Sequence, residues 1–493
     1  MMKELEGTKQ VGTFAVSGRD LHGELTLAGS KTSLYLRDKE FFPTDFPDRC
    51  LKGVLHDLKR VTLLGCISPG PGTASYGSEG YHFAEVFPHF VTYGDQHIGP
   101  QEKKIMAVDF VIDDADTLFY DFDAFGHVLN AAQFIGPIID AREKAYNRTI
   151  KTGPAAQLLY FAGNLEIFAA DTALGRISAS HNPGGNFGGP TGVWLKNTIS
   201  VTIAFQEELA FENAIFRMST LLRYLGVLVG RPQNILDLSL RVRKDTQAPN
   251  ILQVYWSIPP RRDPSKERGD PHPGDILLNV IHEPTQFSSV LASWLERQES
   301  WHDARLRFFN SFAEQRQYDI DRLIGSANMF DILPSSAVPT DVSLTDDIKA
   351  AIDSSRKSFK ALPVSPERDS VLGALGRAAK SNLKHKIRYR AQFVTSALGT
   401  RFDELTLVTD EAVNCRNHYV HGSEPSFDYE RNFNTVAFFM ATFEFVFAAS
   451  DLIEAGWDIK AWAANPTGMA HPFGAYRVEY PPQLASLKAL LRS

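Results

Sequence analysis

The sequence predicts an α+β protein of more than one domain, with a β-rich N-terminal part followed by an all-helical C-terminal part. Three observations predict it. A chain of 493 residues is too long for one hydrophobic core. Its N-terminal half is dominated by short β-branched and aromatic runs between Gly, Pro and Asp clusters. Beyond a polar stretch at 259–275, rich in Pro, Arg, Asp and Gly, the apolar residues change to helical spacing. The expected division is a β-rich domain over 1–258, a linker over 259–275 and a helical region over 276–493.

The strands are expected at Gly23–Gly29, Lys31–Arg37, Arg60–Ser68 and Lys104–Asp113, then at Ala155–Phe161 and Val193–Phe205. His181–Gly192 is a Gly/Pro-rich connector that lacks the Gly-Lys-Ser/Thr of a phosphate loop. Phe211–Val229 has helical spacing, with Phe211, Ile215, Met218, Leu222 and Leu225 on one side. Two further strands are expected at Ile235–Arg243 and Ile251–Ile258. Then Phe287–Phe330 reads as helix, with Leu291, Trp294, Leu295 and Trp301 as core. Leu344–Leu362, Pro366–Leu398, Arg401–His421 and Tyr429–Trp457 follow, broken by the prolines of 334–339 and 363–366.

Composition narrows the function classes. The formal charge of −7 does not advertise nucleic-acid binding, so any RNA site must rest on a local basic patch. Three cysteines, Cys50, Cys66 and Cys415, are an odd set without paired spacing and read as reduced thiols of a cytoplasmic protein. No Cys/His zinc pattern occurs, and neither metal nor cofactor is expected. Met1–Gly7 is charged and lacks the apolar core of a signal peptide. The greasiest run, Val436–Ala449, is interrupted by Glu444 and shorter than the roughly 20 residues of a membrane span. It is expected to be a buried helix, and no membrane partner is expected.

The scattered N-terminal histidines (His22, His56, His82, His89, His97 and His127) have no ligand spacing. Attention falls instead on Arg followed five residues later by His, which occurs at Arg176/His181, Arg297/His302 and Arg416/His421. The first lies in an alternating strand-like segment. The second lies on a helix where a long charged side chain ordinarily covers the surface. The third differs. Asn417 follows the Arg and shares a helix face with His421, while Arg416 sits about 140° from His421 on an ideal helix. Gly422 and Ser423 then stop the helix.

A basic segment lies close by. Residues 370–402 carry seven Lys or Arg and no acid, and Arg377, Lys380, Lys384, Lys386, Arg388 and Arg390 are the expected RNA contacts.

Arg, a carboxamide and His suit metal-free RNA cleavage, because RNA carries its own nucleophile, the 2′-hydroxyl. His421 would move protons, Arg416 would hold phosphate oxygens through its planar fork, and Asn417 would orient the His or the phosphate. His418 lies roughly 60° from His421 and is a weaker candidate. Cys415 is expected to pack.

The Arg-Asn-x-x-x-His string resembles the Arg/His signature of HEPN domains. The whole chain is similar to the ApeA group of bacterial anti-phage proteins. Gly23-Glu-Leu-Thr-Leu-Ala-Gly-Ser-Lys-Thr-Ser-Leu-Tyr-Leu36 and Leu51-Lys-Gly-Val-Leu-His-Asp-Leu-Lys-Arg-Val-Thr-Leu-Leu-Gly-Cys66 carry that resemblance at the N-terminus. It implies an RNA endonuclease of abortive infection, with tRNA as a candidate substrate, a phage-derived trigger sensed by the N-terminal domain, and a homodimer or higher homo-oligomer that joins two Arg/His motifs in one site. Two other readings stay open: a non-catalytic HEPN-like module that binds RNA or protein, and a β-rich carbohydrate- or protein-binding module with a helical oligomerisation domain.

Overall fold

The structure, a computed structural model, describes all residues except 1–5, 77, 78, 187, 191, 245–248, 261, 262, 264, 266–268, 467 and 493. The chain divides into two compact units. One comprises residues 1–228, 232–262 and 279–288, and the other residues 229–231, 263–278 and 289–493.

The first unit is built on strands β1 (Lys9–Val16), β2 (Arg19–Thr26), β3 (Ser33–Asp38), β4 (Cys50–Leu55), β5 (Arg60–Leu64), β6 (Gly72–Tyr76), β7 (Glu79–Val86), β8 (Phe90–Gly94) and β9 (Ile105–Ile112). The hairpin partners β10 (Phe125–Leu129) and β11 (Gln157–Phe161) follow, then β12 (Glu166–Thr172), β13 (Gly175–His181), β14 (Gly184–Asn186), β15 (Trp194–Lys196), β16 (Ile199–Leu209), β17 (Ile235–Val242) and β18 (Asn250–Trp256). Among the described residues fourteen of them form one sheet in the order β12-β13-β16-β9-β17-β18-β8-β5-β4-β1-β2-β3-β7-β6. Neighbours in it run antiparallel, as in β1 and β2, which pair from Lys9 with Thr26 to Val16 with Arg19.

Side-chain alternation explains the burial. Phe14, Val16, Leu21, Leu25, Leu34, Leu36, Val61 and Leu63 point to one core. At Gly53 the ring of Phe14 occupies the space a side chain would need, its nearest atom 2.4 Å from an ideal Cβ. Helices α1 (Ala115–Leu118), α2 (Ala132–Tyr146) and α3 (Phe211–Val229) complete this unit's regular elements.

Several expectations change. β1 lies ahead of the first expected strand. β3 starts at Ser33 because Gly29–Lys31 forms a single 3-10 turn. α2 falls where no element was anticipated, and none of its residues is buried; Phe134, Ile135, Ile138 and Ile139 stand at helical spacing, but Gly136 and Pro137 interrupt the signal. The Gly/Pro connector is partly ordered as the small β14–β15 hairpin, with Phe187 and Thr191 outside the described residues.

The second unit is helical: α4 (Pro284–Glu296, shared at its start with the first unit), α5 (Gln298–Phe312), α6 (Ile320–Asp331), α7 (Asp346–Lys360), α8 (Pro366–Arg377), α9 (Leu383–Leu398), α10 (Leu405–His421), α11 (Phe433–Glu454), α12 (Ile459–Ala464) and α13 (Pro472–Leu490). The long helix expected at Phe287–Phe330 is three, broken at Arg297 and before Asp319, whose carboxylate caps α6 by accepting from the Arg322 N–H at 2.7 Å. Pro366–Leu398 is two helices, because Asn382 caps α9 through the His385 N–H. Of the expected linker, residues 261, 262, 264 and 266–268 lie outside the described residues, and 263–278 group with this unit. There Trp457 Nε1 donates to the Leu277 carbonyl at 3.0 Å.

α11 is long and apolar enough to cross a membrane, yet most of it is buried inside this unit as its core helix. Its few polar residues are spoken for. Arg305 clasps Asp451 through two bonds of 2.8 and 3.0 Å, with its guanidinium 3.6 Å from the Trp294 ring centre. Arg322 clasps Glu444 at 2.9 Å through both Nε and Nη2. Pairing of this kind is what allows a charge in a helical core.

Candidate functional site

α10 buries Leu405, Val408, Thr409, Ala412, Val413 and Cys415, a stripe at helical spacing that fixes which residues turn outward at its C-terminal end. Burial pushes the Cys415 thiol up to about 12, so it packs as an inert side chain. The helix stops at Gly422, whose φ of 66° is left-handed and whose N–H closes on the His418 carbonyl at 2.9 Å. His418 secures the same turn, with Nδ1 2.7 Å from the Ser423 carbonyl and its ring against Tyr419 and Tyr429. It is therefore engaged in holding the helix end.

The helix end brings Arg416, Asn417 and His421 together. Arg416 Nη1 donates to Asn417 Oδ1 at 3.1 Å and lies 3.3 Å from His421 Nε2. A guanidinium has only donors, so His421 Nε2 is the acceptor and carries no proton in this contact. Nη2 donates to Asn328 Oδ1 on α6 at 2.9 Å. Both amides therefore turn their oxygens to Arg416 and leave their NH2 groups to other partners. Arg416 Nε is buried without a hydrogen-bond partner. Among the described residues no carboxylate pairs with Arg416, so its charge is held by neutral groups alone. Arg416 and Asn417 are half-buried and His421 is exposed.

Asn328 is the member that sequence reading missed. It stands 88 positions from Arg416, and its only signal is a lone amide on a helix whose inward positions are Leu323, Ala327, Met329 and Phe330.

The basic segment divides. Lys384 Nζ donates to Asn414 Oδ1 at 3.1 Å, two residues before Arg416 on α10. Lys386 Nζ donates to the Asp331 carbonyl at the end of α6, three residues beyond Asn328. The partners of both lysines stand close in sequence to the site's own residues. Arg377 is exposed in the last turn of α8, and Lys380 pairs with Asp341 at 2.8 Å. Arg388 forms a two-pronged pair with Asp410, one bond being 2.7 Å. The expectation fails for Arg390, which is 0% exposed. Its guanidinium bonds Ser450 Oγ at 2.9 Å and Glu454 Oε2 at 3.0 Å and lies 4.9 Å from the Trp301 ring centre, so it is core rather than RNA-facing surface.

The chain matches the family model described as ApeA N-terminal domain 1 over residues 9–294. It matches the one described as Apea-like HEPN over residues 324–460. No curated protein matches it. No solved structure matches it. Asn328, Arg416, Asn417 and His421 all fall within the HEPN match, and the two matches follow the order of the β-rich and helical regions. The chain thus belongs to the ApeA family of anti-phage defence proteins, with an ApeA N-terminal domain ahead of a C-terminal HEPN domain.

Proposed function

We propose that the protein is a metal-independent endoribonuclease of abortive infection, cutting RNA at Arg416, Asn417 and His421. The observation that carries this reading is the Arg416 guanidinium, which has no carboxylate partner among the described residues and lies 3.3 Å from His421 Nε2. That pairing puts an uncompensated cation beside an imidazole nitrogen able to take a proton.

RNA supplies the nucleophile. His421 Nε2 takes the proton of the 2′-hydroxyl as its oxygen attacks phosphorus. Arg416 holds the non-bridging oxygens as negative charge builds on them. The P–O5′ bond breaks, and the departing oxygen takes a proton from the partner's His421 in a homodimer. The products are a 2′,3′-cyclic phosphate and a 5′-hydroxyl. Imidazole suits both roles because it titrates near neutral pH. Asn417 orients the arginine through its side-chain oxygen. A tRNA anticodon loop is the proposed substrate, since single-stranded loops splay their bases toward a protein. The N-terminal domain senses a phage-derived trigger.

The test is infection of cells carrying the wild-type gene or His421→Ala, with total RNA examined for new cyclic-phosphate ends. Loss of both protection and cleavage in the variant is expected. Protection that persists in the variant overturns the proposal, and intact tRNA in growth-arrested cells overturns the tRNA assignment.

A further inference from the structure

The N-terminal unit contains a cavity of about 510 Å³, within the range of small-ligand sites, roughly 300–1,000 Å³. α1 and the loop after it, the β10–β11 hairpin, the end of β13 and the start of β16 line it, and it opens to solvent. Its charged lining is acidic, with Asp116, Asp121 and Asp123. Among the described residues no Lys or Arg forms an ion pair with any of the three, and Lys196 acts on Asp116 only at longer range. Aromatic rings form much of the remaining wall. Tyr160 lies over the strand at Gly126, where any side chain would meet its ring. Phe122, 75% exposed, stands on the same wall and is open to solvent.

A second, independent feature is His181, 3% exposed on the same wall. Its Nδ1 lies 2.9 Å from the Asn197 amide, and Phe125 and Phe161 pack edge-on against its ring at 5.6 and 5.9 Å. Among the described residues its Nε2 has no hydrogen-bond partner, and Asp121 Oδ2 lies 3.9 Å away. Asn197 Oδ1 is also buried without a partner. Buried polar atoms in folded proteins nearly always find partners. With Nδ1 accepting from the Asn197 NH2, the neutral ring carries its proton on Nε2, a donor turned toward Asp121, so of the two atoms Asn197 Oδ1 is the acceptor that can receive a ligand's N–H. Burial lowers the pKa of His181 against the opposing pull of Asp121, so its ring adds no positive charge to the wall near neutral pH.

We propose that this cavity binds an organic cation, a guanidinium or ammonium head group rich in N–H donors. The aspartates attract its charge, the aromatic faces accept it, and the Asn197 oxygen takes an N–H. Phosphorylated ligands are repelled by the same carboxylates. Such a head group has two sources, a free polyamine-like amine or a basic side chain of a partner polypeptide.

The test is calorimetric titration of the full-length protein with agmatine and, separately, with acetyl-Leu-Arg-Leu-amide, using the uncharged citrulline peptide as control. Saturable binding of either cationic probe is expected, weakened roughly tenfold or more by Asp121→Asn. Agmatine binding alone assigns a free amine, and tighter peptide binding assigns a polypeptide side chain. Equal melting temperatures of wild type and variant separate lost binding from lost fold. If Asp121→Asn does not fold, exposed Asp123→Asn takes its place. The proposal is overturned if neither cation binds, if the citrulline peptide binds equally well, or if the aspartate variant binds as the wild type does.

Discussion

Arg297/His302 and Arg416/His421 share one spacing, Arg297 standing at the N-cap position of α5 and Arg416 lying in the last turns of α10, yet the chain uses them in opposite ways. Arg297 donates to Asp451 Oδ1 at 2.8 Å, to Glu454 Oε2 at 2.9 Å and to the Asp451 carbonyl at 2.8 Å. Its guanidinium also lies 5.2 Å from the Trp301 ring centre. Two carboxylates compensate its charge. Among the described residues Arg416 meets two amides and an imidazole, and no acid. The difference teaches that a five-residue interval means little by itself. The chemistry of the partners decides whether an arginine is structural or is left with charge to offer an anion. Arg305, Arg322 and Arg390 fall with Arg297, since each meets a carboxylate inside the bundle.

The sharpest way to break this comparison is Arg416→Ala. Loss of a preorganised charge donor costs roughly 10²–10³ in turnover, while a change at a half-buried surface site leaves stability within about 0.5 kcal/mol. Arg416→Lys keeps the charge without the fork and should fall between. Cleavage of a synthetic RNA alongside thermal melting checks both. Full activity in Arg416→Ala would sink the distinction.

The opposite outcome is expected at the compensated cluster. Asp451→Asn leaves Arg305 and Arg297 short of a buried partner and should cost about 3–5 kcal/mol of stability. It also carries a pH signature. Burial raises the Asp451 pKa, but Arg305, Arg297 and Arg390 outweigh burial, and the net direction is below the ordinary value. A depressed folded pKa gives stability that is present above the unfolded value, near 3.9, and lost as pH falls through the folded one. Wild type should therefore lose stability below about pH 4, and the Asn variant should show a flatter acid limb in melts recorded across that range.

The positioning of Arg416 gives a smaller effect. Asn328→Ala removes the 2.9 Å anchor of Nη2 and should lower turnover about tenfold with little change in melting. Asn328→Asp keeps an acceptor in reach but gives Arg416 a carboxylate partner, so it should lower turnover at least as much as Asn328→Ala. If the Asp variant instead keeps most activity, the geometry of the anchor matters more than its neutrality.

Much of this was legible in sequence, and the exceptions have physical reasons. β-Branched runs between Gly/Pro punctuation gave the sheet, and Gly422 gave the end of the motif helix, because such signals act locally. Asn328 was not legible because its contact with Arg416 is tertiary. The burial of Arg390 was partly legible. It stands three residues beyond Ile387 and four before Val394, on the buried stripe that includes Ala391. Reading residues 370–402 as a charge count concealed that phase. α2 was hidden by Gly136 and Pro137, which interrupt its apolar spacing.

The smallest expected effect tests that phase directly. Lys384 and Arg390 lie on one helix, six residues apart, and the sequence count treated them alike. Lys384 is half-buried, with its ammonium on Asn414 beside the motif, whereas Arg390 is enclosed by Ser450 and Glu454. If Lys384 contacts a phosphate, Lys384→Ala should weaken RNA binding a few-fold and reduce the salt dependence by about one counterion. Arg390→Ala should instead lower the melting temperature, because it leaves Glu454 short of a partner, and the salt slope of the folded fraction should not move. Binding titrations at several salt concentrations, beside melts of both variants, separate the two. A shallower salt slope in Arg390→Ala would return that arginine to the RNA surface and undo the division between saturated and open cations.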